Sequence, residues 1–555
     1  MNKSDFMKEQ EKAHKKELEQ IIISLECSKF WDTKGRDDFK VVLAQPDKLK
    51  TLKLSAGLQI VADYIHKTTN VQVDFASLYD EELMNLFGPN DNTTTLFNEW
   101  NVSDSDIIGI GISNPCVVGT FFNFLDKSKV PILKEQRILY HDPFIIAGGL
   151  GVTNSSPLES FIDAFVIGEG SIAASELVTK YQRAKERNLS EKELYKSLTE
   201  IPGVYVPEYS KNKVRFQTIN DVKGVRRASL LMSKDKALIF ADYSCKFKCS
   251  FCQMSNVRGS YSFQGLDNIK EYLTEFDGLG VENATIAGGS VTNIQTEKLI
   301  ELFAWAKKNL SRTTPVIRSV RIDDFPKIFD YLEQGEIHIA PETGSDYLRK
   351  NVLLKNFSNE QILKNLELVA SKVSHVRMYH IVGIPTETEE HREMYSELVG
   401  NVSEILSKYH SENEIEIYSY PLLSQLGTPL ENYGIIGLER FKLYVRQFRN
   451  SAATRIHDST TLNIYPLDPL WHLFQGLANT GGKEVGAVLH EGYLNGNTLE
   501  AYMKVCDDHG LKWRDWFGAN PNASCNLILL QDQARIDRRK QFINKSILRG
   551  ETYET

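Results

Sequence analysis

The sequence predicts an α/β protein in which a Rossmann-like parallel sheet precedes a partial (β/α)6 barrel and a mainly helical C-terminal domain. Three observations support this. At 555 residues the chain is long enough for several domains. Short apolar runs alternate with amphipathic stretches twice, over about 39–170 and about 236–420, as in parallel sheets covered by helices. Beyond residue 430 the pattern turns helical and aromatic. We therefore expect four regions, which are 1–38, 39–205, 206–430 and 431–555.

Composition and charge exclude several classes of protein. The chain has 65 Lys+Arg against 73 Asp+Glu, and this net charge of −8 disfavours wrapping of nucleic acid through phosphate contacts. No uninterrupted apolar run reaches the roughly 18–20 residues that span a bilayer. The N-terminus is charged where a signal peptide needs an apolar core. We expect a cytoplasmic protein with neither a nucleic-acid nor a membrane partner.

The first two regions are an extension and a sheet. Residues 1–38 are polar, and the segment from Lys8 to Leu25 predicts a solvated helix with one packed end at Ile21–Ile23. The alternative is a coiled-coil partner helix, although no heptad run persists. Ligands of open parallel sheets bind beyond the carboxyl ends of the strands, and small residues collect at these ends here. The runs predicted as strands are FKVVLA (39–44), VQVDFA (71–76), DIIGIGIS (106–113), PFIIAGG (143–149) and DAFVIGEG (163–170).

Six further runs predict the strands of the partial barrel. In such barrels the reactive groups lie at the C-terminal ends of the strands. The runs are ALIFADYS, NATIAGGS, TPVIRSV, EIHIAPETG, SHVRMYHIVG and EIEIYSYP.

Three of the seven cysteines directly follow the first barrel strand. Cys245, Cys249 and Cys252 stand in a C-x3-C-x2-C spacing, which in an intracellular chain indicates metal rather than a disulfide. Structural zinc prefers four closed ligands, yet the next histidine is His338. Three thiolates suit an iron–sulfur cluster with one open iron better.

This spacing, with aromatic Phe251 before the last cysteine, resembles the radical S-adenosylmethionine (SAM) superfamily. The resemblance implies a [4Fe–4S] cluster on the three thiolates, reductive cleavage of SAM to a deoxyadenosyl radical, and a reducing partner such as flavodoxin or ferredoxin. One residue departs from the superfamily pattern, since Ser290 stands where the superfamily often has Glu. Two others have alternative explanations. A salt bridge with Asp323 or Asp324 would also explain Arg321, and a tight turn would also explain Gly383. The resemblance places the SAM contacts at Phe251, Gly288, Gly289, Ser290, Ser319, Arg321, Glu342 and Gly383.

The first sheet resembles the cobalamin-binding domain of a large radical SAM subgroup. That subgroup often ligates cobalt through Asp-x-His-x-x-Gly, whereas this chain has Gln45-Pro46-Asp47-Lys48, so bound cobalamin is expected to be His-off. The alternative is a sheet that holds no corrinoid and is kept for packing. Cys116 is either a buried inert thiol or a thiol that faces cobalt or substrate. The resemblance places the cobalamin contacts at Ser113, Asn114, Cys116, Gly148, Gly149, Gly168 and Glu169.

Three functions follow from these resemblances. The first is a cobalamin-dependent methyltransferase acting on an unactivated carbon or phosphorus of a small-molecule natural product. The second is radical SAM chemistry without methyl transfer, such as rearrangement or aminocarboxypropyl transfer. The third is a non-catalytic iron–sulfur protein. The C-terminal aromatic residues are expected either to shape the substrate pocket or to pack the core, and they include Trp471, Tyr493, Tyr502, Trp513 and Trp516.

Overall fold

A computed structural model provides the architecture of the chain. It describes residues 21–23, 35–78, 93–210, 214–215, 225–233, 235–317, 320–322, 326, 328–329, 335–514, 516–518, 527–528 and 533–551. Among these residues, no helix has both the length and the apolar character that crossing a membrane requires.

The N-terminal segment differs from the expected helix where the structure describes it. Ile21–Ile23 form a strand, β1, which pairs antiparallel with residues 231–233. Three consecutive β-branched residues favour this extended conformation. The rest of the predicted helix lies outside the described residues.

Six strands form the first sheet, and all except the last run parallel to their neighbours. Their order is β3-β2-β4-β5-β6-β7, with β7 antiparallel to β6. The first five strands thus follow the flavodoxin-like order 2-1-3-4-5, in which ligands bind near the first and third strands. The strands are β2 (Lys40–Lys48), β3 (Gln72–Leu78), β4 (Ile107–Gly111), β5 (Phe144–Gly148), β6 (Ala164–Val166) and β7 (Val204–Tyr205).

Five helices accompany this sheet. Apolar side chains of α1, α2, α4 and α5 pack on one face, and those of α3 pack on the other. The helices are α1 (Leu49–Leu54), α2 (Ala56–Thr68), α3 (Val118–Lys127), α4 (Gly170–Glu186) and α5 (Glu191–Leu198).

The second α/β unit contains all six predicted strands, in two parallel sheets. One sheet has the order β10-β13-β14, and the other begins β15-β16-β17. Its strands, with the two short strands that precede it, are β8 (Val214–Arg215), β9 (Leu231–Ser233), β10 (Ala237–Phe240), β11 (Asp242–Tyr243), β12 (Ser262–Phe263), β13 (Asn283–Ala287), β14 (Thr314–Ile317), β15 (Glu336–Glu342), β16 (His375–Val382) and β17 (Asn413–Pro421).

The helices of this unit connect successive strands, as the alternating sequence pattern requires. A π-helical turn, Leu348–Val352, follows β15 and is called the π turn below. The helices are α6 (Gln253–Asn256), α7 (Leu266–Gly278), α8 (Thr296–Asn309), α9 (Asn359–Glu367) and α10 (Glu389–Ser407).

The C-terminal region is less purely helical than expected. One of its strands, β19, pairs parallel with β17 as the fourth strand of the second unit's larger sheet. The segment TTLNIYP is β-branched and aromatic, which favours a strand despite the helices on both sides. The elements are β18 (Ile435–Ile436), α11 (Leu438–Ala453), β19 (Thr460–Pro466), α12 (Pro469–Thr480), α13 (Glu484–Leu494), α14 (Leu499–Asp508), β20 (Trp516–Phe517), β21 (Leu527–Ile528) and α15 (Gln533–Glu551).

The C-terminal helices pack on the α3 face of the first sheet. Phe474 and Leu489 share one buried apolar cluster with Phe121 and Phe122 of α3. The amide of Asn154, beyond β5, donates to the carbonyl oxygens of residues 478 and 481, at 2.7 and 2.9 Å. This packing fixes the ends of α12 beside the carboxyl edge of the first sheet.

Candidate functional site

The three predicted cysteines lie on one loop between β11 and α6. The Asn256 amide donates to the carbonyl oxygens of Cys249 and Cys252, at 2.7 and 2.9 Å. The Ser250 hydroxyl donates to the Val352 carbonyl of the π turn at 2.6 Å. These bonds fix the loop from both sides without using any sulfur atom.

Cys245, at the start of this loop, is buried beside a polar pair. The Asn293 amide donates to Asp242 Oδ2 at 3.1 Å and lies 3.5 Å from Cys245 Sγ. Asn293 Oδ1 accepts the backbone N–H of Lys246 at 3.1 Å. Burial raises the pKa of Asp242 to about 6, against the hydrogen bond from the Gly289 N–H. Sequence reasoning missed Asn293, because no local spacing connects it with the cysteines.

Gly288 and Gly289 follow β13 and lie directly against the cysteine loop. A Cβ on Gly288 would lie 2.0 Å from Asp242 Oδ1, and one on Gly289 would lie 2.3 Å from the Ser244 carbonyl oxygen. Only glycine permits so close an approach. The neighbouring Ser290 is buried, and its hydroxyl lies 2.8 Å from that of Thr292.

We predict that Gly289→Ala will displace the cysteine loop and reduce retained iron severalfold, because the new methyl group meets backbone that cannot move alone. Gly278→Ala is the matched control, since nothing lies within 4 Å of its added Cβ. Iron per chain after anaerobic reconstitution and desalting measures the effect. Equal iron in the two variants would contradict the claim that the cysteine loop needs a glycine at position 289 to pack so closely.

A buried ion pair lies beside Cys249. Lys355 Nζ is 2.8 Å from Glu342 Oε1, and both side chains are 9% exposed. Burial raises the pKa of the Cys249 thiol to about 11; Lys355 and Arg321 oppose that rise, whereas Cys252 and Glu342 add to it. The structure thus brings the predicted Glu342 and Arg321 to the same thiol. Sequence reasoning missed Lys355, whose one signal is a lysine in the apolar stretch NVLLKNF.

Arg321 stacks on the cysteine loop. Its guanidinium lies 3.9 Å from the ring centre of Phe247 and 5.0 Å from that of Phe357. Stacking of this kind orients a guanidinium while leaving its N–H groups in plane to donate. The predicted Ser319, and the aspartates of the alternative salt bridge, lie outside the described residues.

The remaining predicted SAM contacts also have packing roles. Gly383 has φ +80°, and a Cβ there would lie 2.9 Å from Ile436 Cβ. Its N–H donates to Glu387 Oε2 at 2.8 Å, and burial raises the pKa of Glu387 to about 7. Phe251 packs against an apolar cluster that includes the π turn. The tight turn therefore accounts for Gly383, and its contact with adenine stays a prediction.

The carboxyl edge of the first sheet is partly open. Ser113 and Asn114 are exposed just after β4. A Cβ on Gly148 would come no closer than 3.4 Å to another residue, so packing does not demand this glycine. Gly149 differs, because its φ is +114° and a Cβ there would lie 2.3 Å from the Ile112 carbonyl oxygen.

Three other residues predicted to contact cobalamin at this edge have structural roles within the chain itself. Cys116 is buried and accepts from Gln475 Nε2 of α12 at 3.2 Å, and burial raises the pKa of its thiol to about 12. Glu169 caps α4 by accepting the Ser171 N–H at 3.1 Å, next to Gly168 with φ +100°. These contacts give each residue a role within the chain, and the cobalamin contacts of Cys116, Gly168 and Glu169 stay predictions.

Two family models match the chain. Residues 57–207 match the N-terminal model of radical SAM proteins, and residues 243–399, which include the cysteine loop, match the radical SAM superfamily model. The chain belongs to the radical SAM superfamily. The second match also covers the Gly288–Gly289 approach and the Glu342–Lys355 pair.

The chain is similar to curated proteins and solved structures at low identity. It is 26% identical over 313 residues to an uncharacterized protein of Methanocaldococcus jannaschii, covering 54% of this chain and 64% of that protein. It is 26% identical over 165 residues to the ribosomal protein uS12 methylthiotransferase RimO of Carboxydothermus hydrogenoformans, covering 26% and 36%. The chain thus spans less than two thirds of the length of these relatives.

Two of the similar solved structures are cobalamin-bound enzymes. The methyltransferase TsrM from Kitasatospora setae has 13% identity and a TM-score of 0.49, covering 69% of this chain and 72% of that chain. The radical enzyme OxsB has 14% identity and a TM-score of 0.46, covering 94% and 81%.

Superfamily membership implies a [4Fe–4S] cluster and SAM as cofactors, and the cysteine loop fits them. Among the described side chains, the three cysteine sulfurs are not a set within 4.8 Å of one another. Around a single zinc, with bonds of about 2.3 Å, tetrahedral geometry sets sulfurs roughly 3.8 Å apart. At least one pair of these sulfurs is therefore farther apart than a single zinc requires, which thiolates that each bind a separate iron accommodate.

Proposed function

We propose that this chain is a radical SAM enzyme. The observation that carries the proposal is that the buried Glu342–Lys355 ion pair and the Arg321 guanidinium, which stacks on Phe247 of the cysteine loop, lie beside the cysteines. A cluster alone needs only the thiolates, whereas an amino acid ligand beside it needs buried groups of both charges. When bound, the cluster and SAM supply one-electron cleavage of a sulfonium and a radical that abstracts hydrogen from substrate.

The residues of the site have separate roles in this proposal. Cys245, Cys249 and Cys252 hold the cluster. Arg321, oriented by its stacking on Phe247, offers a guanidinium to the carboxylate of SAM. Glu342 offers a carboxylate oxygen to the amino group, and the ion pair with Lys355 holds that carboxylate in place.

The neighbouring glycines bring β13 against the cysteine loop, and the sheets that surround it form a partial barrel in this proposal. This close approach leaves no space for a side chain at either glycine, and it therefore fixes the cysteine loop against the end of β13.

We further propose that the enzyme is a cobalamin-dependent methyltransferase acting on a small molecule. The flavodoxin-like strand order places the ligand edge at the ends of β2 and β4, where Ser113 and Asn114 are exposed. Trp471, at the start of α12, is 51% exposed, and its carbonyl oxygen lies 3.9 Å from Cys116 Sγ. An open polar edge and an exposed indole suit a flat macrocycle with a substrate beside it.

Any corrinoid held here is expected to be His-off. Gln45 lies within β2 where the subgroup's motif begins, but it is 2% exposed and its Oε1 accepts from the Ser55 hydroxyl at 2.8 Å. Its side chain therefore cannot reach a cobalt above the edge. The cobalt(II) form is expected to show an electron paramagnetic resonance spectrum without nitrogen superhyperfine splitting.

We predict that Ser113→Trp will abolish cobalamin retention and leave iron unchanged, because an indole on the exposed edge blocks the macrocycle without entering the core. Glu135→Trp, also exposed but before β5 at the opposite edge of the sheet, is the control. The visible spectrum after reconstitution with hydroxocobalamin and desalting measures retention. Wild-type protein that retains no cobalamin would contradict the methyltransferase proposal.

A second candidate is radical SAM chemistry without cobalamin. The structural roles of Cys116, Gly149 and Glu169 favour it, since each is explained by the chain itself. Analysis of the SAM products distinguishes the candidates, because a methyltransferase yields S-adenosylhomocysteine as well as methionine. In either case the proposed partners are a small-molecule substrate and a reducing protein such as flavodoxin or ferredoxin.

A further inference from the structure

We propose that the outer face of α15 is the docking surface for an acidic protein that delivers one electron to the cluster. This inference rests on the proposed function, since only a cluster that is reduced in turnover needs such a donor.

Charge is the first observation. The sequence of α15, QARIDRRKQFINKSILRGE, contains six basic and two acidic residues, in a chain whose net charge is −8. Arg538 and Lys545 are exposed on this helix, and Lys350 is exposed on the π turn against which α15 packs. A basic face on an acidic protein steers an acidic partner to one place and repels it elsewhere.

An exposed aromatic lies within this basic face. Phe542 is 50% exposed and stands four residues after Arg538 and three before Lys545, on the same side of the helix. A solvated terminal helix gains nothing from an exposed phenyl ring, whereas aromatic and arginine side chains are enriched at protein interfaces.

The inner side of α15 touches the cysteine loop. Arg539 Nη1 donates to Asn256 Oδ1 at 3.1 Å, and Asn256 binds the carbonyls of Cys249 and Cys252. Ile543 is buried in the apolar cluster against which Phe251 packs. A protein docked on the outer face of α15 is therefore separated from the cysteine loop by one helix.

The electron balance of the step is simple. A donor with a reduced flavin loses one electron, the oxidised cluster gains it, and no bond forms or breaks in the transfer. The negative charge gained by the cluster lies beside the positive helix, which favours the reduced state electrostatically.

The test compares two charge reversals of equal size in the cluster-loaded enzyme. One is the double variant Arg538→Glu/Lys545→Glu, and the control is Arg440→Glu/Arg446→Glu on the exposed face of α11. Stopped-flow absorbance follows anaerobic reduction of the cluster by reduced flavodoxin. We expect the second-order rate constant to fall at least tenfold in the α15 variant only, with a weaker dependence on ionic strength.

Reduction by dithionite, a small ion, separates this inference from the proposed function. We expect both variants to be reduced by dithionite, and to cleave SAM with it, like wild type. Failure of wild-type enzyme to cleave SAM with dithionite would overturn the proposed function, whereas equal flavodoxin rates in both variants would overturn the docking surface alone. If the α15 variant instead loses binding of transfer RNA while its reduction by flavodoxin is unchanged, the docking surface for an acidic protein is overturned as well, and α15 is a nucleic-acid surface.

Discussion

Replacing Cys245, Cys249 and Cys252 together with alanine is expected to remove all bound iron and all SAM cleavage while the protein stays folded. The wild-type chain should hold roughly four irons, as a [4Fe–4S] cluster requires. The loop is expected to keep its shape without the sulfurs, because the hydrogen bonds of Asn256 and Ser250 to it do not involve sulfur. Iron analysis measures the bound iron, the 5′-deoxyadenosine formed from SAM measures cleavage, and circular dichroism measures the fold.

Cys506→Ala is the matched control for that triple variant. Cys506 is a buried free thiol of α14, within the apolar cluster that joins the C-terminal helices to the first sheet. Its loss changes packing but should leave iron intact. Iron retained by the triple variant, or lost equally by the control, would contradict the assignment of the cluster ligands.

The sequence predicts best those features that depend on local spacing. The three cysteines share one loop of eight positions, so their chemistry is visible in the sequence, and the family match agrees with it. The β/α rhythm is local as well, and it predicted the five parallel strands of the first sheet and the six strands named for the second unit. β1 and β19 were missed because neighbouring helical patterns extended across them, whereas their own β-branched residues favour strands.

Features that depend on tertiary contacts could not be predicted in this way. Lys355 reaches Glu342 only because the π turn folds back between them, and no spacing rule describes that path. Small residues posed a related problem at the edge of the first sheet. Gly149 and Gly148 look alike in sequence, yet backbone crowding requires only Gly149 to be glycine.

Lys355→Met is expected to destabilise the sheet beside the cluster by about 3–5 kcal/mol, because it leaves the Glu342 carboxylate buried without its cation. The 2.8 Å contact and 9% exposure of both side chains mean that water cannot replace the lysine. Hydrogen exchange of β15 and β16 amides in the cluster-free protein measures the effect locally, since so long a chain does not unfold in two states.

The exposed pair Lys408–Glu367, with side chains 51% and 39% exposed, provides the matched control. Lys408→Met should cost less than about 1 kcal/mol, because solvent screens that pair. The double variant Glu342→Gln/Lys355→Met should recover most of the lost protection, since two neutral groups leave no buried charge. It should nevertheless bind SAM at least tenfold more weakly than wild type in the cluster-loaded enzyme. Equal costs for Lys355→Met and Lys408→Met would contradict the buried pair, and full SAM affinity in the double variant would make that pair purely structural.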